Sequence, residues 1–422
     1  MVNMSFRGFL DELRGAGLIR DVPEFVSPNL EVTARAWGAG PILFRNVNGR
    51  KCCLNILGTR DLLARALKIQ TKDLVRHLSS LEYAGEVKEV NSSPFQEVIS
   101  DPDLSRLPIL TYFQGDGGPY ITSAVVVTRL GERLNACVHR LMVLGKDRLA
   151  ARLVPGRHTH QLYQAACSEE RELPVAIAIG VDPLVLLAAS TRVPLDLEFQ
   201  YASALRGKPV ELVRLDNGVP VPHAEIVLEG YITANRASEG PFVDITGTKD
   251  LIRQEPVIRL TKMMTREDPI YHGLLPAGGE HKMLMGIPYE PLIYKAVSKV
   301  AKVKDVHLTQ GGCCYFHAVV QIEKETEADA RRAIEAAFQA HGSLKHVIVV
   351  DTDIDIYDPE DIEFAIATRV LGDEDTIIHP KVRGSTLDPR SVDGITTKVG
   401  VDATSRLSKL SKFRRVIPKG SG

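Results

Sequence analysis

From about Tyr120 to Gly286 the chain repeats one local pattern, short apolar runs rich in β-branched residues and broken by turn formers. ITSAVVVTRL, NACVHRLMVLG and RLAARLVPG read as strands, with turns at Gly131-Glu132 and Gly145-Lys146-Asp147. PVAIAIGVD, PVELVRL and AEIVLEGYI continue the pattern, with helical insertions over Thr159 to Ala166 and Pro194 to Leu205. Such a stretch buries its apolar faces only as a sheet or a barrel. Ahead of it, Phe6, Leu10 and Leu13 share one face of a helix over Phe6 to Ala16, and PILFRNV and KCCLNIL read as strands, which predicts a small α/β unit ending near Pro108. Behind it, a helix in YEPLIYKAVSKV, a strand in CYFHAVVQI, a helix over Ala328 to Ala340 and a strand in HVIVVDTDID follow in βαβ order from near Pro288. The fold class is α/β, in a multidomain α+β arrangement.

The 422 residues are 44% hydrophobic and 25% charged, enough apolar side chain for several cores and far from the composition of a disordered chain. Lys and Arg number 52 against 53 Asp and Glu, so the chain carries no footprint for nucleic acid. Arg7, Asp11, Glu12 and Arg14 interrupt the first residues where a secretory leader needs an apolar run, which predicts a cytoplasmic protein. PVAIAIGVDPLVLLAAS is cut by Asp182-Pro183 into pieces far short of the roughly 20 residues that cross a bilayer. Six cysteines, including the adjacent pairs Cys52-Cys53 and Cys313-Cys314, form neither a disulfide framework nor a CxxC site; reduced, mostly buried thiols are expected.

Four stretches carry residues with chemical potential. In Asn135-Ala136-Cys137-Val138-His139-Arg140, strand alternation puts Cys137 and His139 on one face and Val138 and Arg140 on the other. Arg140 is then either a solvated outer-face cation or a clamp for a carboxylate or phosphate. The loop Pro155-Gly156-Arg157-His158-Thr159-His160 opens a helix with Thr159 near its cap, a setting that suits an anion, although two loop histidines are more often surface residues. Glu198 falls in a first helical turn, where a carboxylate favours the dipole in any case. Asn135, His158 and Glu198 together make an N/O donor set for Mg or Mn. Finally, Glu239 and Asp244 lie five residues apart in a Gly/Pro loop. They are either a solvated acidic loop or, beside an arginine, a pair in which one member stays protonated as an acid.

Taken jointly, NACVHR, GRHTH, LEFQYASALRG, AEIVLEGYI with EGPFVDITG, VVDTDIDIYDPEDIEFAIATRV and TTKVGVDAT resemble the UbiD-like decarboxylase family, which uses prenylated FMN, and the chain looks like a compact, archaeal-type member. The resemblance implies an N-terminal α/β domain over 1–107 and a split β-barrel over 108–287, like that of flavin reductases and binding prenylated FMN. It further implies a C-terminal α/β domain over 288–400 after a linker helix, and a basic tail over 401–422. It implies Mn2+ (or Mg2+) on Asn135, His158 and Glu198, bridging to the flavin phosphate, together with a monovalent cation, K+ or Na+. Val138, His139, Arg140, Arg152, Leu153, Val154, Arg157 and His158 fall at matching cofactor positions, and Lys398 is a further candidate.

The implied catalytic set is Arg140, Glu239 and Asp244, the last being Glu in part of the family. Arg140 would orient the substrate carboxylate, Glu239 hold Arg140, and Asp244 protonate the carbon that loses CO2. The implied reaction is reversible, non-oxidative decarboxylation of an α,β-unsaturated or aromatic acid, with trans-anhydromevalonate 5-phosphate or a furan or aromatic acid as substrate. A flavin prenyltransferase would supply the cofactor, and the chain would assemble as a homo-oligomer, a dimer or hexamer. For a phosphorylated substrate, Arg192, His281, Lys282 and Lys381 are candidate anion contacts by charge. Two readings from other classes stay open at this point, a non-catalytic flavin-binding subunit and a Mn-dependent hydrolase.

Overall fold

The computed structural model describes residues 5–413. Two compact units form: the described residues up to Thr71 together with Leu81–Leu284, and Lys72–Ser80 together with the described residues from Met285 onward. The division falls inside the helix Gly279–Gly286. Residues 414–422, the last nine of the expected basic tail, lie outside the described residues.

The first unit opens with the expected amphipathic helix, Phe6–Gly15. Ser5 caps it by accepting from the Gly8 N–H, and Phe6, Phe9, Leu10 and Leu13 are buried. A four-stranded sheet follows in the order Arg20–Phe25, Ile42–Val47, Arg50–Leu54, Ile270–His272. Its last strand comes from the far end of the unit and pairs in parallel with Arg50–Leu54, Tyr271 opposite Cys52. The first α/β layer is therefore completed by residues more than two hundred positions downstream.

The strand-rich middle forms a sheet of nine strands. Along it run Tyr120–Ile121, Leu141–Val143, Arg148–Ala151, Arg253–Thr265, Ile226–Glu239, Leu173–Ile179, Val125–Leu130 and Arg133–Val138, while Val98–Ser100 pairs with the outer part of Arg253–Thr265. Every pairing is antiparallel. The two ends of the path do not pair with each other among the described residues, so this is an open sheet and not a closed barrel. Val125, Val127, Val175, Ile177, Leu228, Ile232 and Ile258 are buried in it. The apolar helix Pro183–Ser190, capped by Asp182 accepting from the Leu184 N–H, is buried along almost its whole length. Among the described residues no helix is long and apolar enough to cross a membrane.

Three local expectations shift. The NACVHR strand ends at Val138, so His139 and Arg140 sit in the break before Leu141–Val143. The helix after the GRH loop runs His158–Ser168 with Arg157 at its cap, which places Thr159 inside the first turn, buried. The next insertion is helical only over Glu198–Arg206.

The second unit is a mixed five-stranded sheet in the order Lys302–Leu308, His317–Glu323, His346–Val350, Ile395–Ala403, Thr376–Arg383. The three central strands run parallel, joined by right-length crossovers through the helices Asp329–Ala340 and Pro359–Arg369. The strand expected over HVIVVDTDID stops at Val350. Asp351 and Asp353 then accept from the buried Arg369 at 2.7 Å each, which ties the turn to the helix behind it. All six cysteines carry free thiols; Cys52, Cys53 and Cys314 are buried, and Cys137, Cys167 and Cys313 are half-buried.

Candidate active site

Arg140 leaves the strand break and ends among carboxylates, with its side chain only 10% exposed. Nε donates to Glu239 Oε1 at 2.9 Å and Nη2 to Glu239 Oε2 at 3.0 Å, a two-pronged pair. Nη1 donates to Asp244 Oδ2 at 2.9 Å, and Nη2 also to Asp250 Oδ2 at 2.8 Å. The guanidinium lies 4.7 Å from the centre of the Phe242 ring, a cation–π contact. Burial works against the charge on Arg140, but the carboxylates outweigh it and hold its pKa above the ordinary value. The solvated outer-face reading of Arg140 is thus overturned, and so is that of the acidic loop, because Glu239 is completely buried.

The backbone explains how these groups meet. Glu239 is the last residue of a fourteen-residue strand, and Gly240 turns the chain at φ +101°, where a Cβ would stand 2.9 Å from Leu251 O. Phe242–Val243 then pairs with Lys249–Asp250, Phe242 opposite Asp250, so the hairpin folds Asp250 back toward Arg140. Asp244 begins the connecting turn, where its carbonyl accepts from Gly247 N–H at 2.8 Å and its Oδ1 from Ile245 N–H at 2.7 Å. Gly117 packs against this loop, donating to Pro241 O at 2.8 Å, and a side chain there would overlap Gly240 O.

Tyr120 donates to Glu239 Oε1 at 3.1 Å, and burial together with that charge pushes its phenol well up. Burial alone would raise the Asp250 carboxyl, but hydrogen bonds from Arg253 and Arg140 hold it down at about 2. His281, on the helix Gly279–Gly286, accepts from Ala277 N–H at Nδ1 (3.1 Å), so the ring carries its proton on Nε2. Burial lowers its pKa; the Asp244 charge opposes that, and the Arg140 and Lys282 charges reinforce it.

A second group of side chains gathers where the helices His158–Ser168 and Glu198–Arg206 pack on the Arg133–Val138 strand. Glu198, 3% exposed, has one carboxylate oxygen buried without a hydrogen-bond partner. The other lies 3.8 Å from His158 Nδ1. Burial pushes the Glu198 carboxyl up to about 8. Asn135 Nδ2 donates to Thr159 Oγ1 at 2.9 Å and to Cys137 Sγ at 3.2 Å, which directs the amide nitrogen into that cluster and Oδ1 out of it. His139 Nδ1 donates to Arg152 O at 3.0 Å, while Nε2 meets Thr159 Oγ1 and Cys137 Sγ, each at 3.0 Å. Burial disfavours charge on Cys137 and His139, yet their mutual contact outweighs it and draws the thiol down and the imidazole up.

Among the described residues no three His, Cys, Asp or Glu side chains gather as a metal cluster. Glu198 and His158 do stand together, a carboxylate and an imidazole, and a buried carboxylate oxygen without a partner suits a hard divalent cation. For an anion next to that cation the neighbouring residues also fit. Arg157 caps the helix without using its side chain, which leaves the first-turn N–H groups to point outward, and Arg152 stands nearby. Arg152 is itself held by Glu255, Nη1 to Oε1 at 2.7 Å, with Leu153 N–H donating to the second Glu255 oxygen at 3.3 Å. Leu153 is buried, Val138 half-buried, and Val154 and Arg157 exposed.

Lys398 belongs to the second unit, where Nζ donates to Gly342 O at 2.8 Å and sits 5.3 Å from the Phe338 ring centre. Lys381 is also in that unit, and Arg192 is exposed. Of the four anion contacts suggested by charge, His281 is the one that the charges of Asp244 and Arg140 reach, and Lys282 adjoins it. Sequence reasoning missed Asp250, Glu255, Tyr120 and Phe242; the one local signal was Arg253 three residues after Asp250.

The chain matches the N-terminal, Rift-related and C-terminal domains of 3-octaprenyl-4-hydroxybenzoate carboxy-lyase over residues 10–91, 87–279 and 282–403. An anhydromevalonate phosphate decarboxylase of Methanosarcina mazei is 55% identical over 98% of this chain and 99% of its own length. The chain belongs to the UbiD family. Members of the UbiD family are carboxy-lyases, and this chain shares both their fold and their three-domain match. The UbiD-class enzyme HmfF from Pelotomaculum thermopropionicum, solved with FMN, superposes with a TM-score of 0.95 at 38% identity, over 99% of this chain and 98% of that one. An evolved dimeric form of HmfF with prenylated FMN gives a TM-score of 0.91 at 36% identity, with the same coverage.

Proposed function

We propose that this UbiD-family chain decarboxylates anhydromevalonate phosphate with prenylated FMN, held by Mn2+ (or Mg2+) on Asn135, His158 and Glu198 with K+ or Na+ beside it. The observation that carries the substrate is the 55% identity to the Methanosarcina mazei enzyme over nearly the whole of both chains, against 38% to HmfF. When bound, the flavin supplies the sink for the electron pair that remains as CO2 departs. Val138, His139, Arg140, Arg152, Leu153, Val154, Arg157 and His158 contact it; Lys398 is the weakest member of that set, since its ammonium already has a carbonyl partner.

The roles of the chain's own groups follow from their chemistry. Arg140 binds the substrate carboxylate and aligns the bond that breaks. Glu239, fully buried and paired with two Arg140 nitrogens, fixes the guanidinium so that orientation costs nothing at the moment of reaction. Asp244 gives the proton to the carbon that loses CO2, and water returns one to it. Lys282 and the neutral His281 give the substrate phosphate a cation and a donor. A flavin prenyltransferase supplies the cofactor, and the protein works in the cytoplasm as a homo-oligomer.

The test is protein co-expressed with a flavin prenyltransferase, examined by ultraviolet-visible absorbance and mass spectrometry and then supplied with a panel of acids. CO2 release from anhydromevalonate phosphate, and much less from its dephosphorylated form, is expected. Release from furan or aromatic acids alone would transfer the reading to those substrates. Metal-dependent hydrolysis without flavin absorbance would replace the decarboxylase reading with a hydrolase, and flavin binding with no turnover of any acid would leave a non-catalytic subunit.

A further inference from the structure

A guanidinium group presents two two-pronged faces, one from Nε–H and Nη2–H and one from Nη1–H and the second Nη2–H. In Arg140 the first is taken by Glu239. On the second, Asp250 holds Nη2 and Asp244 is bound to Nη1, so four of the five N–H groups are committed. An incoming carboxylate that is to reach Nη2 of Arg140 needs the N–H that Asp250 occupies, because Glu239 holds the other. Charge gives the same result. Glu239, Asp244 and Asp250 already share the guanidinium groups of Arg140 and Arg253. A fourth carboxylate added without a displacement would meet an excess of negative charge in a partly desolvated site.

The three acids differ in what each loses by leaving. Glu239 has no exposed surface, holds both prongs of its face and also accepts from Tyr120. Asp244 begins a turn closed by its own carbonyl and carboxylate and, in the functional reading above, must stay by the reacting carbon. Asp250 alone has a second cation, Arg253 Nη1 at 2.7 Å, and it also accepts from Leu251 N–H at 2.8 Å. Released from Arg140, it stays paired. It lies on a two-residue strand next to Leu251 and Ile252, which are 72% and 60% exposed, so a small shift there disturbs little packing.

We infer that Asp250 is a built-in placeholder for the substrate carboxylate on Arg140, displaced when the acid binds and received by Arg253. This rests on the decarboxylase reading for the identity of the incoming acid. The placeholder keeps the buried guanidinium neutralised and correctly aimed between turnovers, and its competition sets how much acid is needed to fill the site.

The test uses cofactor-loaded protein, the KM and kcat for the acid, and the calorimetric affinity for a saturated, unreactive analogue of it. Asp250→Asn removes the competing charge while keeping the shape, and should lower KM and tighten analogue binding roughly tenfold. Arg253→Gln leaves Asp250 with Arg140 as its one cation, and should raise KM several-fold. In the Asp250→Asn/Arg253→Gln double variant the effect of Arg253 should vanish. A rise in KM with weaker analogue binding in Asp250→Asn overturns the inference, as does an Arg253→Gln effect of equal size in both backgrounds. Asp250→Ser takes the place of Asp250→Asn if the amide variant does not fold. If wild-type protein turns over no acid, the functional reading fails by itself, and the analogue titration still decides whether Asp250 competes for Arg140.

Discussion

Glu239 and Glu198 are both almost wholly buried, yet their surroundings differ in one respect. Glu239 is met by a guanidinium from its own chain on two prongs, with a tyrosine hydroxyl besides. Glu198 has a half-buried imidazole at 3.8 Å and an oxygen with no hydrogen-bond partner. A buried carboxylate is costly unless something neutralises it. In one corner the chain carries the neutralising charge itself, which makes the geometry permanent and suits it to orienting a substrate. In the other no cation among the described residues is paired with the carboxylate and burial favours its protonated form, which on the proposed function leaves the corner open to a cation that can replace the proton.

The sharpest way to break this contrast is to turn the first corner into the second. Arg140→Met strands Glu239 and Asp244, and should cut turnover by about 10^3-fold or more and lower stability by about 3–5 kcal/mol in urea unfolding. A stability loss near zero would mean that the network is not effectively buried. Asp244→Asn keeps an acceptor for Arg140 but has no acidic proton to give. CO2 release should fall by roughly 10^2 to 10^4-fold while flavin absorbance is retained, and full turnover with bound cofactor would remove Asp244 from its role.

At the second corner the contrast predicts dependence on an external ion. Mn2+ at about a hundredfold its dissociation constant should stabilise the wild type by about 2.7 kcal/mol, read as a rise in Tm. Glu198→Gln should lose most of that gain together with much of its bound flavin, and an equal gain in both proteins would contradict the assignment.

The smallest effect belongs to a titratable group outside both corners, and it guards against misreading acid stability. His317, in the second unit, is held at about 4, below its ordinary 6.5, by burial and by the nearby His346 and His307. The unfolded chain therefore takes up this proton first. Stability should fall by about 2 kcal/mol as pH drops from about 6.5 to about 4, with no further contribution from this group below that. His317→Asn should flatten that slope without changing metal or flavin binding.

Much of the fold was legible because its cause is local. Val125 to Leu130 and Leu173 to Ile179 are buried almost throughout, as their unbroken apolar runs imply, and the helix over Asp329–Ala340 shows its apolar face in the order of its residues. Alternation also put Cys137 and His139 on one side, where they touch. It could not show that the strand stops at Val138, and that stop is what frees Arg140 to turn inward. Glu239 and Asp244 were visible as a pair because a single loop carries them. Asp250 and Glu255 were not, because hairpin register brings one to Arg140 and a long-strand register places the other, opposite Ala237, where it reaches Arg152. The Asn135, His158 and Glu198 group depends on two helices packing on an edge strand, and spacing alone does not encode that packing.

The strand Ile270–His272, which completes the first sheet by pairing with Arg50–Leu54, sets a schedule for the newborn chain. At roughly 5–20 residues per second, a ribosome needs about 10–40 s to travel from one strand to the other. For that interval the opening segment has an unfinished sheet edge and a first helix whose Arg7 still waits for Glu225. Synthesis therefore delivers the first-made residues into their final place late, after the wide sheet has emerged to receive them. A cell producing this protein at high levels would need chaperones chiefly while Arg50–Leu54 waits for Ile270–His272.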